Sequence, residues 1–182
     1  VGAPGDLPVT WTAVSADGRI VAPVQCEGFV SALWVGHLGP DQVPVEDRRI
    51  VPELTASEAG FDFFDTLAWT ADGSGILIAT GTAVYEIDPI TGTASDLGLG
   101  RGLAVAQNRD GRTAVLLDSG EVVLDGRSLG SIALRLPNDG SGTNDGLMAG
   151  VADLAFDLDG AVWVATVDGV YRFRSGAEPE MI

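Results

Sequence analysis

Lysine is absent from this 182-residue chain, and cysteine and histidine occur once each. All ten basic residues are arginine, against 26 aspartates and glutamates, for a formal net charge of −16 at pH 7. Without clustered cations a protein cannot displace counterions from a phosphate backbone, which argues against nucleic acid as a partner. With Cys26 alone, no intramolecular disulfide can form. His37 is the only imidazole available to activate that thiol, and Cys26 reads as an ordinary, partly buried cysteine. Apolar runs do not exceed strand length, so none reads as a membrane-spanning segment. No stretch holds a helical period for more than a turn or two.

What is present is glycine, proline and short apolar runs: 25 Gly, 9 Pro and 46% apolar residues. That composition fits one turn-dense all-β domain with a substantial core. The clearest unit is residues 151–174, VADLAFDLDGAVWVATVDGVYRFR. Residues 151–156 alternate in polarity, Asp159-Gly160 suits a hairpin turn, and AVWVAT (161–166) reads as a strand covered on both faces. After Asp168-Gly169, residues 170–174 alternate apolar with charged residues, as in a half-exposed strand.

An Asp-Gly step followed eight to ten residues later by a second glycine recurs along the chain. The anchors are Asp17-Gly18 with Gly28, Asp72-Gly73 with Gly81, Asp110-Gly111 with Gly120, and Asp159-Gly160 with Gly169. Alternating runs precede them and β-rich runs follow them. Their spacings of 55, 38 and 49 residues equal blade-sized units carrying variable insertions. The reading is an all-β β-propeller with four visible blades of antiparallel strands, over residues 9–47, 66–98, 102–134 and 151–182. Residues 1–8 form an N-terminal arm, and 48–65 and 135–150 are insertions. The first blade is expected to use residues 9–15, 19–24 and 29–35, completed by 42–45, with Trp11 and Trp34 in the core.

The segment from Asp159 through Thr166, followed by Gly169-Val170-Tyr171-Arg172-Phe173, resembles the blade repeat of two-component-regulator propellers. That repeat runs Asp-Gly, then Trp, Thr, Gly and an aromatic residue. Asp88-Pro89-Ile90-Thr91-Gly92 is similar to a turn of bacterial quinoprotein and YVTN propellers. The resemblance implies a fold and no particular activity, because such blades serve sensors, scaffolds and enzymes. Those families usually close six or more blades in one ring. Four units therefore form either a closed ring or part of a larger one, completed by self-association or by further blades.

Two insertions carry the candidate partner-binding residues. Phe61, Phe63 and Phe64 cluster in the first, as local core or as an exposed apolar patch of the kind that marks an interface. Asp139, Asn144 and Asp145 lie in the second, which is rich in side-chain oxygens. Calcium favours such donors, and Asp139 and Asp145 are the metal candidates, although the spacing matches no 12-residue calcium loop. In a four-stranded blade, both insertions emerge on one face of the ring.

These features favour a non-catalytic, extracytoplasmic bacterial protein. It would bind another protein or a cell-envelope component through the insertion-bearing face, without a cofactor. Arginine as the sole basic residue fits a GC-rich bacterial source, and a first residue other than Met suggests a leader or larger precursor. The alternative is a metal-dependent propeller enzyme of the lactonase or lyase sort. It needs acidic, Asn or His ligands converging from inner strands, where Asp153 is the only clear carboxylate.

Overall fold

The computed structural model describes residues 12–26, 29–54, 64–80, 82–134, 151–166 and 168–182. These residues form four four-stranded antiparallel sheets, each built from strands consecutive in the chain. The first contains β1 (Ala13–Val14), β2 (Arg19–Cys26), β3 (Phe29–Leu38) and β4 (Pro44–Ile50). The second contains β5 (Phe64–Trp69), β6 (Ile76–Thr80), β7 (Val84–Ile87) and β8 (Ala94–Asp96). The third contains β9 (Gly102–Gln107), β10 (Thr113–Leu117), β11 (Glu121–Leu124) and β12 (Arg127–Ser131). The fourth contains β13 (Val151–Phe156), β14 (Val162–Thr166), β15 (Gly169–Phe173) and β16 (Glu180–Met181). No helix occurs among the described residues, and the expected all-β propeller architecture of four antiparallel blades is observed.

Two boundaries differ from the sequence expectation. The outer strand of the first sheet continues to Ile50, and β5 begins at Phe64. Both ends of the expected first insertion are therefore strand. The anchor pattern marked turns well, but nothing in it reports how far a strand runs beyond its last alternating residue.

The inner strands stack in order. β1 packs on β5, β5 and β6 on β9, and β9 and β10 on β13. Alternation gives each sheet two side-chain sets; in the second and third sheets one set packs against the preceding sheet and the other against the following one. The first two sheets enclose Val21, Leu33 and Val35 with Leu67, Trp69, Ile76, Ile78 and Ile87. The second and third share Leu77, Ala79, Val84, Val105 and Val115. The third and fourth share Ala114, Leu116, Val122, Leu124, Leu154, Val162, Val164 and Phe173. Within the middle interface the buried Thr66 Oγ1 accepts from the Val105 N–H at 2.7 Å.

The repeat extends to irregularities. In the last three sheets the ladder between inner and second strands shifts register at one equivalent place, adding Asp65, Leu103 and Ala152 respectively. A bulge at the same position in each copy bends the inner strand in the same way.

Candidate functional site

The four Asp-Gly steps build one turn, repeated. Its first residue is Ser15, Thr70, Asn108 or Asp157, two positions before the aspartate of the pair. The glycine N–H donates to the carbonyl of that first residue at 3.0, 2.9, 3.0 and 3.1 Å in chain order. Its side-chain oxygen accepts the N–H that ends the turn, from Arg19, Gly75, Arg112 and Ala161, at 2.8–2.9 Å. Gly18, Gly73, Gly111 and Gly160 have φ between +70° and +85°, where a Cβ would be strained. The anchor glycines follow from this geometry. The first residue was the missed signal: all four are Ser, Thr, Asn or Asp, the side chains able to hold a turn by accepting its backbone N–H.

Contacts between sheets set these turns side by side along one rim. Arg19 Nη2 donates to the Gly73 carbonyl at 2.8 Å, and its guanidinium lies 4.5 Å above the Trp69 ring. The Ala71 N–H donates to Gln107 Oε1 at 2.6 Å, joining the second turn to the third. Two open grooves lie between neighbouring turns. One of about 480 Å³ separates the second and third, lined by Thr70, Asp72, Glu86, Arg109 and Asp110 among others. The other, about 500 Å³, separates the third and fourth, with Ala106, Leu154 and Phe156 below Arg109, Arg112, Asp110 and Asp159.

The carboxylates of this rim are held ionised by hydrogen bonds within or beside their own turns. Asp72 is lowered to about 2, chiefly by the Ser74 N–H, then by the Ser74 and Thr70 hydroxyls. Asp157 is lowered to about 2, most by the Trp163 indole N–H at 2.9 Å, with help from the Ala161 N–H and Arg172. Arg172 donates to Asp157 at 2.8 Å while its guanidinium lies 5.1 Å from the Trp163 ring centroid. Asp17 is lowered by the Ser15 hydroxyl and Arg19, and Asp88 by the N–H groups of Thr91 and Ile90. Carboxylates so bonded are fixed anions and poor proton donors near neutral pH.

Phe61, Phe63, Asp139, Asn144 and Asp145 lie outside the described residues, as do the arm at 1–8 and Trp11. Phe64 opens β5, with its Cα opposite Thr80. Trp34 is buried, as expected. Asp153 accepts from the adjacent Leu154 N–H at 2.8 Å. Cys26 and His37 stand at opposite ends of the β2–β3 ladder, opposite Phe29 and Arg19. At about 3.3 Å per residue they are roughly 25 Å apart. His37 bonds instead to Asp47, at 3.0 Å. Among the described residues no group of three or more His, Cys, Asp or Glu converges on a point.

A second candidate surface comes from a mismatch with sequence. The expectation that 161–166 is covered on both faces fails, because β14 is buried only toward the third sheet. Trp163 and Ala165 on its other face are half-exposed, and neighbouring Ala155 and Val170 are exposed. The apolar alternation of AVWVAT signals two packable faces and cannot report whether both have a neighbour.

No family model and no curated protein matches the chain. Similar solved structures do exist. The extracellular domain described for a hybrid two-component system of B. thetaiotaomicron aligns at TM-score 0.58 and 12% identity, over 100% of this chain and 23% of that one. Kuenenia stuttgartiensis hydrazine synthase aligns at TM-score 0.53 and 14% identity, covering 90% of this chain and 43% of that one. A Bacteroides uniformis protein described as a 6-phosphogluconolactonase aligns at TM-score 0.53 and 14% identity, over 90% and 52%. This chain thus spans between about a quarter and about half the length of these structures. All three are propeller-like, and at such identities what this chain shares with them is the propeller fold.

Proposed function

We propose that the chain is a non-catalytic binding or assembly module built on propeller sheets, belonging to an extracytoplasmic bacterial protein. In this reading it meets another protein or a cell-envelope component through the face bearing residues 48–65 and 135–150, and no cofactor is assigned to it. The observation that carries the non-catalytic part is the bonding of the rim carboxylates. Asp17 accepts from Ser15 and Arg19, Asp72 from Thr70 and Ser74, Asp88 from Ile90 and Thr91, and Asp157 from Asp159, Ala161, Trp163 and Arg172, a structural use of acidic residues. The likeness to an extracellular propeller domain supports the location.

Two sets of measurements test this reading. Elemental analysis of the purified chain, thermal melts with and without calcium, and a lactone-hydrolysis assay with added divalent metals address chemistry. Expected are no stoichiometric metal, unchanged melts and no turnover; metal-dependent turnover would establish the enzyme reading instead. Cross-linking in intact envelopes addresses binding. A partner captured by the native chain is expected to be lost on replacing Phe61, Phe63 and Phe64 by Ser, or Asp139, Asn144 and Asp145 by Ala, at unchanged Tm. Undiminished capture by both variants would remove the insertion-bearing face from the proposal.

A further inference from the structure

We infer that the far side of the fourth sheet is an interface for a fifth antiparallel sheet of the same repeat. The inference does not rest on the binding role proposed above.

The argument follows equivalent positions through the four turns. Four residues before each Asp-Gly aspartate, and two before the turn's first residue, the inner strand carries alanine in every sheet: Ala13, Ala68, Ala106 and Ala155. The first three of these alanines pack into the cluster shared with the following sheet, and Ala155 is exposed. On the second strand the equivalent residues are Val21, Leu77, Ala114 and Trp163. The first three are at most 1% exposed, while Trp163 is half-exposed. On the third strand they are Leu33, Val84, Val122 and Val170. Here exposure is 0% for the first three and 40% for the last. The fourth sheet therefore keeps the small and apolar residues by which each earlier sheet receives its successor, with no described sheet against them.

Continuity with three existing interfaces identifies the occupant. A fifth sheet would present the side that Ile78, Val115 and Val164 occupy on the second strand, and Tyr85, Val123 and Tyr171 on the third: branched aliphatic beside aromatic or valine. A second copy of this chain fits less well. Its first sheet would have to offer Ala22, Val24, Ala32 and Trp34, which are already 4–8% exposed. Two fourth sheets face to face would oppose Asp153 and Glu180 with their own copies, while Arg172 is taken by Asp157. The fourth sheet also repeats the bonding of the second: Ile182 N–H donates to the Val170 carbonyl at 2.9 Å, as Leu97 N–H does to that of Val84.

The experiment extends the 182-residue chain after Ile182 with a copy of its own residues 98–134, a connector plus the third sheet. A second extension, built from residues 66–98, guards against misfolding of the first. Expected for at least one is a Tm several degrees higher, by roughly 4 °C or more, and at least tenfold slower deuterium uptake across 162–173. Val170→Asp should abolish both gains in the extended chain and leave the unextended chain melting as before. Two extensions that leave 162–173 unprotected would overturn the inference. So would an unextended chain that sediments at twice its 18.7 kDa mass and becomes monomeric with Val170→Asp, since a second copy would then occupy the face.

Discussion

Gly111 and Gly120 lie in the same sheet with nearly the same backbone, φ +80° and +84°, but in different surroundings. A Cβ on Gly111 would meet nothing within 4 Å, whereas on Gly120 it would sit 2.1 Å from the carbonyl oxygen of Ile132. Alanine at either site takes on left-handed strain of about 1–2 kcal/mol, partly offset by about 0.4–1 kcal/mol from the stiffer unfolded chain. Gly111→Ala should therefore cost about 1 kcal/mol. Gly120→Ala must also push backbone aside, at the place where Ile132 N–H donates to Gly120 at 3.0 Å and Gly120 N–H donates to Leu117 at 2.9 Å. Losing two backbone hydrogen bonds adds about 1–3 kcal/mol, for a total of about 2–4 kcal/mol. Urea unfolding followed by circular dichroism measures both. Equal costs for the two variants would refute the close approach of residues 120 and 132.

Replacing Thr66 by Val leaves the Val105 N–H without its acceptor between the second and third sheets and should cost about 1–3 kcal/mol; Ser at 66 should restore most of the loss in the same urea assay. The carboxylates of Asp72 and Asp157, held at about 2 against an ordinary value of 3.8, favour the folded chain above pH 4, and that contribution disappears as pH falls toward 2. Asp157→Asn should accordingly melt lower than the native chain at pH 6 and show a flatter dependence of Tm between pH 4 and 2. A parallel pair of curves would show that the bonds to Trp163 and Arg172 are not made in solution.

Much of this architecture is legible before any coordinates, because it rests on local chemistry. Each Asp-Gly step needs a glycine at positive φ, and four such steps with flanking β-rich runs locate four hairpins. The polar residue that opens each turn is equally local but leaves no single-letter pattern, because its identity varies among Ser15, Thr70, Asn108 and Asp157. What sequence could not show is how far neighbours extend. The β-strand character of Arg48–Ile50 depends on pairing with β3, and the half-exposure of Trp163 depends on which sheets surround it. The candidate site divides in the same way. The acidic turn residues declare themselves as turn formers, but their alignment along one rim arises from Arg19 and Gln107 reaching across sheets, which no local pattern records.

The face-to-face stacking of equivalent sheets is tested most directly by one charge placed in turn at three equivalent positions. Val84→Asp and Val122→Asp put a carboxylate where exposure is 0%, and urea unfolding should show each losing about 3 kcal/mol or more. Val170→Asp, at a position 40% exposed, should stay within about 0.5 kcal/mol of the native chain. Similar losses at all three positions, or none at the first two, would contradict it.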